Sequence, residues 1–297
     1  MIMSKTADGR MAAFSPSAKI RVVLAEVTDS ARELERSHLC GPTAGLIQAE
    51  ALAGVALLGT DLTGADETVT FRMRVSGPLG GLLVEAAADG GLRGYTHVKV
   101  MEDFDAAEEL DTSAALGEHA EVQIIRSRPG KIISSGSVEV NPAAISYALE
   151  LYYKQSLQRS AWIQTSALAY GAFIDSARSV MVECLPDGDA ALFARLEESF
   201  SDGTILDCLE AASSLKTLCE TLGLEDCTFE EPKPLRFACR CSVERVEGMV
   251  EGLPAEDIRA MLAKNEPVQI FCHMCGKGYR VGGEYLEKVL KKRQCAG

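Results

Sequence analysis

The sequence predicts an α+β protein built from an N-terminal mixed α/β core domain, a helical linker and a small C-terminal zinc-binding domain. Strand-like runs rich in β-branched residues, separated by glycine turns, fill the first part of the chain. Short acidic helices follow them, and two close pairs of cysteines lie near the C-terminus. These observations place the core domain at residues 1–185, the linker at 186–234 and the zinc-binding domain at 235–297.

Length and composition limit the classes of protein to consider. With 297 residues the chain can bury a sizeable core in one large and one small unit. No uninterrupted apolar run reaches the roughly 18 residues of a membrane span, and Met1–Ser15 lacks the apolar stretch of a signal peptide. We therefore expect a cytoplasmic protein without membrane contact, whose ten cysteines are reduced. The net charge of -13 argues against unspecific binding of nucleic acid.

The core domain opens with a strand and a helix. Lys19–Val27 is rich in β-branched residues, and Thr43 is positioned to cap a helix over Ala44–Leu58. This helix is apolar nearly all round, so it should be buried against a sheet. Its carboxylate Glu50 could serve as a catalytic acid, but neither a histidine nor a second carboxylate is near in sequence. We expect Glu50 at the rim of the core or in an ion pair.

Hairpins and one further helix complete the core domain. Their glycine turns lack phosphate-loop spacing and are typical of hairpin turns. Pro142 suits the first turn of a helix that runs to about Gln158, and the acidic segment Asp103–His119 should be a loop with helical pieces. The expected strands are Glu67–Ser76, Gly80–Ala87, Leu92–Val98, Glu121–Arg126, Lys131–Val140, Ile163–Ile174 and Ser179–Leu185.

The linker has a different pattern. Three short amphipathic helices are predicted at Asp189–Phe200, Thr204–Ala211 and Leu215–Leu222. Helices of this length are marginal alone, so their apolar faces need a covering partner. Residues 186–235 hold twelve acidic and three basic side chains, whereas residues 239–297 hold eight acidic and ten basic ones. We expect a metastable segment that depends on its neighbours, with an ordinary helical spacer as the alternative.

The last unit has too few residues for a large core. Ser242 can cap one short helix, Pro254 opens a second, and Gly283 precedes a third that ends in Lys291-Lys292-Arg293. A structural zinc contributes on the order of 10–16 kcal/mol, which matches the whole stability of a typical domain. Loss of the metal should therefore unfold this unit.

Two cysteine pairs predict one zinc site. Four thiolates fill the tetrahedral shell of zinc, which leaves no place for His273 as a fifth ligand and no open position for hydrolase chemistry. Gly276 and Gly278 free the backbone to wrap around the second pair. The one-residue spacing of the first pair makes a local disulfide conceivable, so redox chemistry stands beside an inert structural zinc. The predicted ligands are Cys239, Cys241, Cys272 and Cys275.

Several motifs together resemble a known family. The segments Phe237–Arg245 and Cys272–Cys275 carry Cys-x-Cys and Cys-x-x-Cys about thirty residues apart, and Ser76–Leu82, Leu92–Tyr95 and Tyr152–Gln158 look like core-domain motifs of the same family. This pattern resembles the 33 kDa chaperonin family, which consists of redox-regulated heat-shock holdases.

The resemblance implies an ATP-independent chaperone that is not an enzyme. In the reduced state it would hold one zinc and be inactive. Oxidants would convert the thiolates to two disulfides, Cys239 with Cys241 and Cys272 with Cys275, release the zinc and unfold the C-terminal part. The partners implied are unfolding client proteins and, in the oxidised state, a second copy of the chain.

The other six cysteines are expected to be buried apolar residues or free surface thiols. Cys227 stands out among them because it is near the predicted zinc ligands in sequence. The six are Cys40, Cys184, Cys208, Cys219, Cys227 and Cys295.

Two other functions fit parts of the pattern. Cys272-x-x-Cys275 after a strand is also found in thiol-disulfide oxidoreductases, although a helix start does not follow it here. A zinc ribbon that binds nucleic acid is disfavoured by the acidity and by the lack of a basic, aromatic stripe.

Overall fold

The computed structural model describes residues 7–171, 173–264 and 267–294. Cys295 lies outside the described residues. The chain forms two compact units, Met1–Ala238 and Cys239–Gly297.

The first unit contains twelve strands and eight α-helices in its described part. In chain order they are β1 (Gly9–Ser15), β2 (Ile20–Glu26), α1 (Thr28–His38), α2 (Pro42–Leu58), β3 (Thr68–Val75), β4 (Gly81–Ala87), β5 (Gly91–Thr96), α3 (Glu102–Asp105), α4 (Thr112–Leu116), β6 (Ala120–Arg128), β7 (Lys131–Val140), α5 (Ile145–Gln155), β8 (Ser160–Tyr170), β9 (Phe173–Cys184), α6 (Ala190–Ser201), α7 (Thr204–Glu210), α8 (Leu215–Thr221), β10 (Thr228–Phe229), β11 (Lys233–Pro234) and β12 (Arg236–Phe237).

Two sheets organise this unit. The first has the order β10-β1-β2-β9-β8, with β11 also paired to β1, and all its described pairs are antiparallel. The second has the order β12-β5-β4-β3-β6-β7, and only its β12–β5 pair is parallel among the described pairs. The main core joins side chains of α2 to side chains of both sheets, so the α+β class predicted from sequence is confirmed.

Helix α2 is the centre of the main core. It is buried nearly all round, as predicted. The prediction that Thr43 caps it is wrong: Gly41 is the N-cap, Pro42 takes the first helical position, and the Thr43 backbone N–H donates to Asp105 Oδ1 at 2.9 Å. The Asp105 carboxylate, which is distant in sequence, thus accepts a hydrogen bond from the backbone at the start of α2, the role expected of the Thr43 hydroxyl.

The same helix also explains a membrane-like signal. Pro42–Asp61 is long and apolar enough to cross a membrane, the one such helix among the described residues. However, 83% of its most apolar stretch is buried inside the protein, as in the core helix of a soluble protein. Glu50 is half-buried in this helix and accepts a hydrogen bond from the Thr165 hydroxyl at 2.5 Å.

Helix α5 begins later than predicted. Pro142 lies outside it, because residue Ala144 is still extended (φ -143°, ψ 141°) and serves as the N-cap. The helix also ends at Gln155, three residues before the predicted end. Its predicted apolar side is correct, since Leu149 and Tyr153 are fully buried in the main core.

The predicted linker helices lie on one face of the first sheet. Helices α6, α7 and α8 bury their apolar side chains against strand residues in a second apolar cluster. On α7 the buried residues are Ile205 and Leu209, whereas Leu206 is only half-buried. The cluster contains Ala13, Ala18, Ile20, Val22, Leu24, Val180 and Val182 from the sheet side, and Phe193, Leu196, Ile205, Leu209, Leu215, Leu218, Cys219, Leu222 and Leu224 from the helical side.

The boundary between the compact units falls between Ala238 and Cys239. Leu235 is buried in the main core, and Arg236 and Phe237 pair with Gly91 and Leu92 of β5. Residues 235–238 therefore belong with the first unit, whereas the sequence placed them in the zinc-binding domain. A separate linker at 186–234 stays a prediction.

The second unit is small. Its elements are α9 (Val243–Glu251), α10 (Ala255–Ala263), β13 (Val268–Phe271), β14 (Gly278–Val281) and α11 (Gly283–Gln294). As predicted, the Ser242 hydroxyl caps α9 by accepting from the Arg245 backbone N–H. Only seven buried residues form its described apolar core, so a metal site could contribute a large share of its stability.

Candidate metal centre

A tight turn positions the second cysteine pair. Strands β13 and β14 are antiparallel, with Phe271 opposite Gly278, and residues 272–277 connect them. The Cys272 backbone N–H donates to the Lys277 carbonyl at 2.9 Å, and the Gly276 N–H donates to the Cys272 carbonyl at 2.8 Å. Gly276 has φ +69°, a conformation that a side chain would strain. The backbone thus closes around the two thiols, as the sequence predicted.

The first pair is positioned by the start of a helix. Cys241 directly precedes Ser242, the N-cap residue of α9, and packs against the small core of the second unit. Cys239 lies two residues earlier and is half-buried. One pair thus comes from a helix start and the other from a strand turn.

The four thiols meet in one cluster. Cys239 Sγ is 3.7 Å from Cys272 Sγ, and Cys241 Sγ is 3.4 Å from Cys275 Sγ. All four sulfurs lie within 4.8 Å of one another, and this is the one group of metal-ligating side chains found among the described residues. Bonds of about 2.3 Å from zinc to sulfur give a tetrahedron with edges of about 3.8 Å. The cluster therefore fits a tetrahedral metal ion.

The sulfurs are not joined to one another. A disulfide bond is about 2.05 Å long, which is much shorter than the 3.4 and 3.7 Å separations in the cluster. All four residues are free cysteines, as are the five other cysteines in the described part of the chain. His273, beside Cys272, takes no part in the group.

Burial disfavours ionisation of the second cysteine pair. It raises the pKa of Cys272 and, more strongly, that of Cys275, which is 5% exposed. Neighbouring thiols raise the pKa of Cys275 further, since one thiolate disfavours the next. A divalent cation supplies positive charge that favours the thiolate form of clustered cysteines.

Tyr279 is a member of the site that the sequence analysis missed. Its hydroxyl donates a hydrogen bond to Cys241 Sγ at 2.9 Å, and this bond is the largest cause of the raised pKa of Tyr279. The ring is buried on β14, and Val281 is buried two residues later. That alternation of Tyr279 and Val281 was a readable signal for an inward-facing tyrosine directly after the cysteine turn.

The geometry disfavours an oxidoreductase site. Reactive Cys-x-x-Cys thiols have lowered pKa values, commonly at the start of a helix. Here the pair is followed by strand β14, and burial raises the pKa of both Cys272 and Cys275. Without a bound metal, burial therefore disfavours the nucleophilic thiolate form of both residues.

A family model described as "Hsp33 protein" matches residues 8–282. The chain belongs to the Hsp33 protein family. The match covers the whole first unit from residue 8 onward and the four clustered cysteines, so it includes both the fold and the candidate site.

Relatives named "33 kDa chaperonin" cover nearly the whole chain. The protein from Thermus thermophilus is 30% identical over 93% of this chain and 84% of its own length. That from Oceanobacillus iheyensis is 26% identical over 95% of this chain and 99% of its own length. The resemblance noted in the sequence is confirmed, and with it the function of a heat-shock chaperone.

A solved structure has the same fold. The crystal structure of the 33 kDa chaperonin (heat shock protein 33 homolog) from Thermotoga maritima superimposes with a TM-score of 0.86 and 18% identity, covering 98% of this chain and all of that one. The mixed α/β architecture predicted for the Hsp33 chain is confirmed by this likeness.

Proposed function

We propose that this protein is an ATP-independent holdase whose chaperone activity is switched on by oxidation of a zinc centre. The observation that carries the proposal is the cluster of four sulfurs within 4.8 Å, which come from two parts of the second unit that are distant in sequence. The described part of this unit has only seven buried core residues. A metal that joins those parts contributes a free energy comparable to that of folding a small domain.

The proposed resting state is reduced and zinc-bound. The ligands would be the four clustered cysteines, with Tyr279 donating its hydrogen bond to Cys241 Sγ. Zinc supplies a closed tetrahedral link and no catalytic position. The metal also keeps the sulfurs as thiolates, the form that oxidants attack.

The proposed switch is a two-disulfide oxidation. Each pair of thiolates gives two electrons to one hydrogen peroxide, which takes up two protons from the solvent and becomes two waters while one sulfur–sulfur bond forms. Sulfurs bonded in pairs no longer provide four thiolates, so the metal is released. The second unit then loses the metal–sulfur bonds that compensate for its small apolar core.

The proposed client surface is apolar and covered at rest. Helices α6 to α8 cover a sheet face that includes Val22, Leu24 and Val182, each at most 1% exposed. Opening of these helices would expose both the sheet face and the helices' own apolar sides. Such surfaces bind unfolding proteins through the hydrophobic effect and need no nucleotide.

The remaining parts of the proposal follow from its chemistry. The partners are unfolding proteins and, after oxidation, a second copy of the chain that covers exposed apolar surface. The reducing cytoplasm is the compartment in which the thiols stay reduced until stress. The chain itself catalyses no reaction in this scheme.

Aggregation assays test the proposal. Light scattering from a thermally unfolding client protein is compared for reduced zinc-loaded protein, peroxide-treated protein, and protein re-reduced in the presence of zinc. We expect suppression only after peroxide, release of about one zinc per chain, and reversal on re-reduction. The variant Cys241→Ser should retain little zinc, whereas the control Cys184→Ser, in the first unit, should behave as wild type. Full suppression by the reduced zinc-loaded protein would contradict the redox switch.

A further inference from the structure

Two cysteines outside the candidate metal centre lie side by side in the first unit. Cys219 is on α8 and is 1% exposed, and Cys227 is half-buried directly before β10. The two side chains are close enough for each to affect the pKa of the other. Both belong to the apolar cluster that holds the helices on the first sheet.

The two cysteines connect different layers of that cluster. Cys227 is fixed to the sheet, because the neighbouring Asp226 carboxylate accepts hydrogen bonds from the Ser15 hydroxyl and the Ser17 backbone N–H at 2.5 and 2.9 Å. The next residue, Thr228, pairs with Phe14 of β1. Cys219 is on α8, which together with α6 and α7 forms the helical layer on this sheet. A bond between the two sulfurs would therefore tie α8 to the sheet.

Packing protects both thiols. Burial raises the pKa of Cys219 to about 12 and also raises that of Cys227. At neutral pH both are thiols, which are poor nucleophiles towards peroxides. The protection depends on α8 remaining on the sheet, because contact with water returns each pKa towards its ordinary value near 8.5.

We propose that Cys219 and Cys227 form a second oxidisable pair, which is protected while α8 is packed and becomes a disulfide once α8 leaves the sheet in the presence of a hydroperoxide. One thiolate attacks hydrogen peroxide, giving a sulfenic acid and hydroxide. The proton released when the first thiol ionised neutralises that hydroxide. The other thiol then attacks the sulfenic sulfur and forms the sulfur–sulfur bond, and its proton leaves with the sulfenic hydroxyl as water. The product closes a short loop between α8 and the residue before β10.

The disulfide would limit later opening of α8. A disulfide across a short loop reduces the conformational freedom of the open segment. Such disulfides typically shift the equilibrium between the open and the packed state by about 30-fold or more. The disulfide thus forms after one opening of α8 and restrains later openings. It requires opening of α8 by any cause and does not require the zinc switch.

The chain contains a probe for that opening. Its single tryptophan, Trp162 on β8, stacks on Phe193 of α6 at 5.8 Å and donates its indole N–H to the Phe193 carbonyl. Tryptophan fluorescence therefore reports whether α6, which shares an apolar cluster with α8, is packed on the sheet.

The experiment treats full-length, zinc-loaded protein with hydrogen peroxide, in buffer and in the lowest urea concentration at which the Trp162 signal changes. Remaining thiols are alkylated, and unreduced digests are searched for the Cys219–Cys227 peptide. We expect the peptide to dominate in urea and to be nearly absent in buffer. After removal of urea, proteolysis between residues 204 and 229 should be about 30-fold slower than in Cys227→Ala or Cys227→Ser treated alike.

Matched controls distinguish the Cys219–Cys227 crosslink from crosslinks of the nearby Cys208 and from the zinc switch. Cys208 lies in the same layer, 4.0 Å from the Thr221 hydroxyl, and Cys208→Ala should leave the crosslink unchanged. A dominant Cys208–Cys219 bond, or equal crosslinking in buffer and urea, would overturn the proposal. Zinc content and client holding are measured on the same samples, so loss of the switch with an intact crosslink, or the reverse, tells the two proposals apart.

Discussion

Arg178 and Glu26 form a buried ion pair, with Arg178 Nε 2.9 Å from Glu26 Oε2 and both residues at most 5% exposed. The same guanidinium donates to the carbonyls of Leu209 and Ser213, at 2.9 and 2.7 Å. These carbonyls lie at and just after the end of α7. One side chain of the first sheet thus holds both a buried carboxylate and the helical layer above it.

Replacing Arg178 with methionine should open the helical layer. The change leaves Glu26 as an uncompensated buried charge, which typically costs about 3–5 kcal/mol, and removes two donors from the end of α7. We expect the Trp162 fluorescence to change at lower urea than in wild type, and client holding without oxidant.

The double variant Arg178→Met with Glu26→Gln separates the two effects. It removes the stranded charge, so it should recover part of the stability, while the α7 carbonyls still lack their donors. Arg195→Ala, on the exposed side of α6, is the matched control and should behave as wild type. Unchanged urea curves for Arg178→Met would show that the pair does not hold the layer.

The sequence revealed local features better than distant ones. Cysteine spacing was enough to name the four clustered thiols, and alternation located the hairpins. The roles of Arg178 and Asp105 depend on partners tens of residues away, which no local pattern encodes. The misplacement of Thr43 and Pro142 has the same origin, since a cap supplied from afar and an extended residue before α5 overrode local preference.

Removal of the Tyr279 hydroxyl should weaken metal retention without unfolding the protein. Hydrogen bonds to metal ligands typically change metal affinity by about 10–100-fold, and Tyr279 donates one to Cys241 Sγ. We expect Tyr279→Phe to lose zinc to a competing chelator at about tenfold lower chelator concentration. Tyr285→Phe is the control, because its hydroxyl bonds to Glu251 and not to a cysteine. Equal retention by both variants would exclude a role for Tyr279 at the site.

The disulfide pairing should report the order of oxidation and unfolding. In the folded unit two short sulfur–sulfur separations cross between the pairs, from Cys239 to Cys272 and from Cys241 to Cys275. In an unfolded chain near neighbours meet most often, because short loops cost the least entropy. We expect Cys239–Cys241 and Cys272–Cys275, as the family resemblance implies, formed while the unit unfolds. Peptide maps dominated by the crossed pairs would mean that oxidation is complete before unfolding begins.

Glu50 should make stability depend on pH. Burial raises the pKa of this carboxyl in the folded protein, so the folded state binds more protons than the unfolded state once the pH exceeds about 4.3. Folding stability attributable to Glu50 is therefore lost as the pH rises through its folded pKa. Glu50→Gln keeps an acceptor for the Thr165 hydroxyl and removes the ionisation.

We expect Glu50→Gln to melt above wild type at neutral pH, with the difference shrinking towards about pH 4. Thermal denaturation, monitored by circular dichroism, measures the melting temperatures of the variant and the wild type at both pH values. Glu139→Gln, at an exposed position of β7, serves as the control and should show the same small difference at both pH values. A melting difference for Glu50→Gln that grows on acidification would reverse the assigned sign.

Opening of the helical layer should be enough to activate the chaperone. Two leucines on α7 allow a matched test: Leu209 is fully buried against the sheet, and Leu206 is half-buried on the same helix. A glutamate at 209 would bury an unpaired charge unless α7 leaves the sheet, whereas a glutamate at 206 can turn to water. We expect Leu209→Glu to hold clients while reduced and zinc-loaded, and Leu206→Glu to need peroxide.

Hydrogen exchange identifies which segments have opened in the active protein. In Leu209→Glu the amides of α6 to α8 should exchange rapidly while those of the second unit stay protected by its zinc. In the oxidised wild type both regions should exchange rapidly. Suppose instead that oxidised, zinc-free wild type holds clients fully with α6 to α8 still protected. The sheet face beneath those helices would then remain covered during activity, and clients would have to bind a surface that is already exposed in the reduced protein.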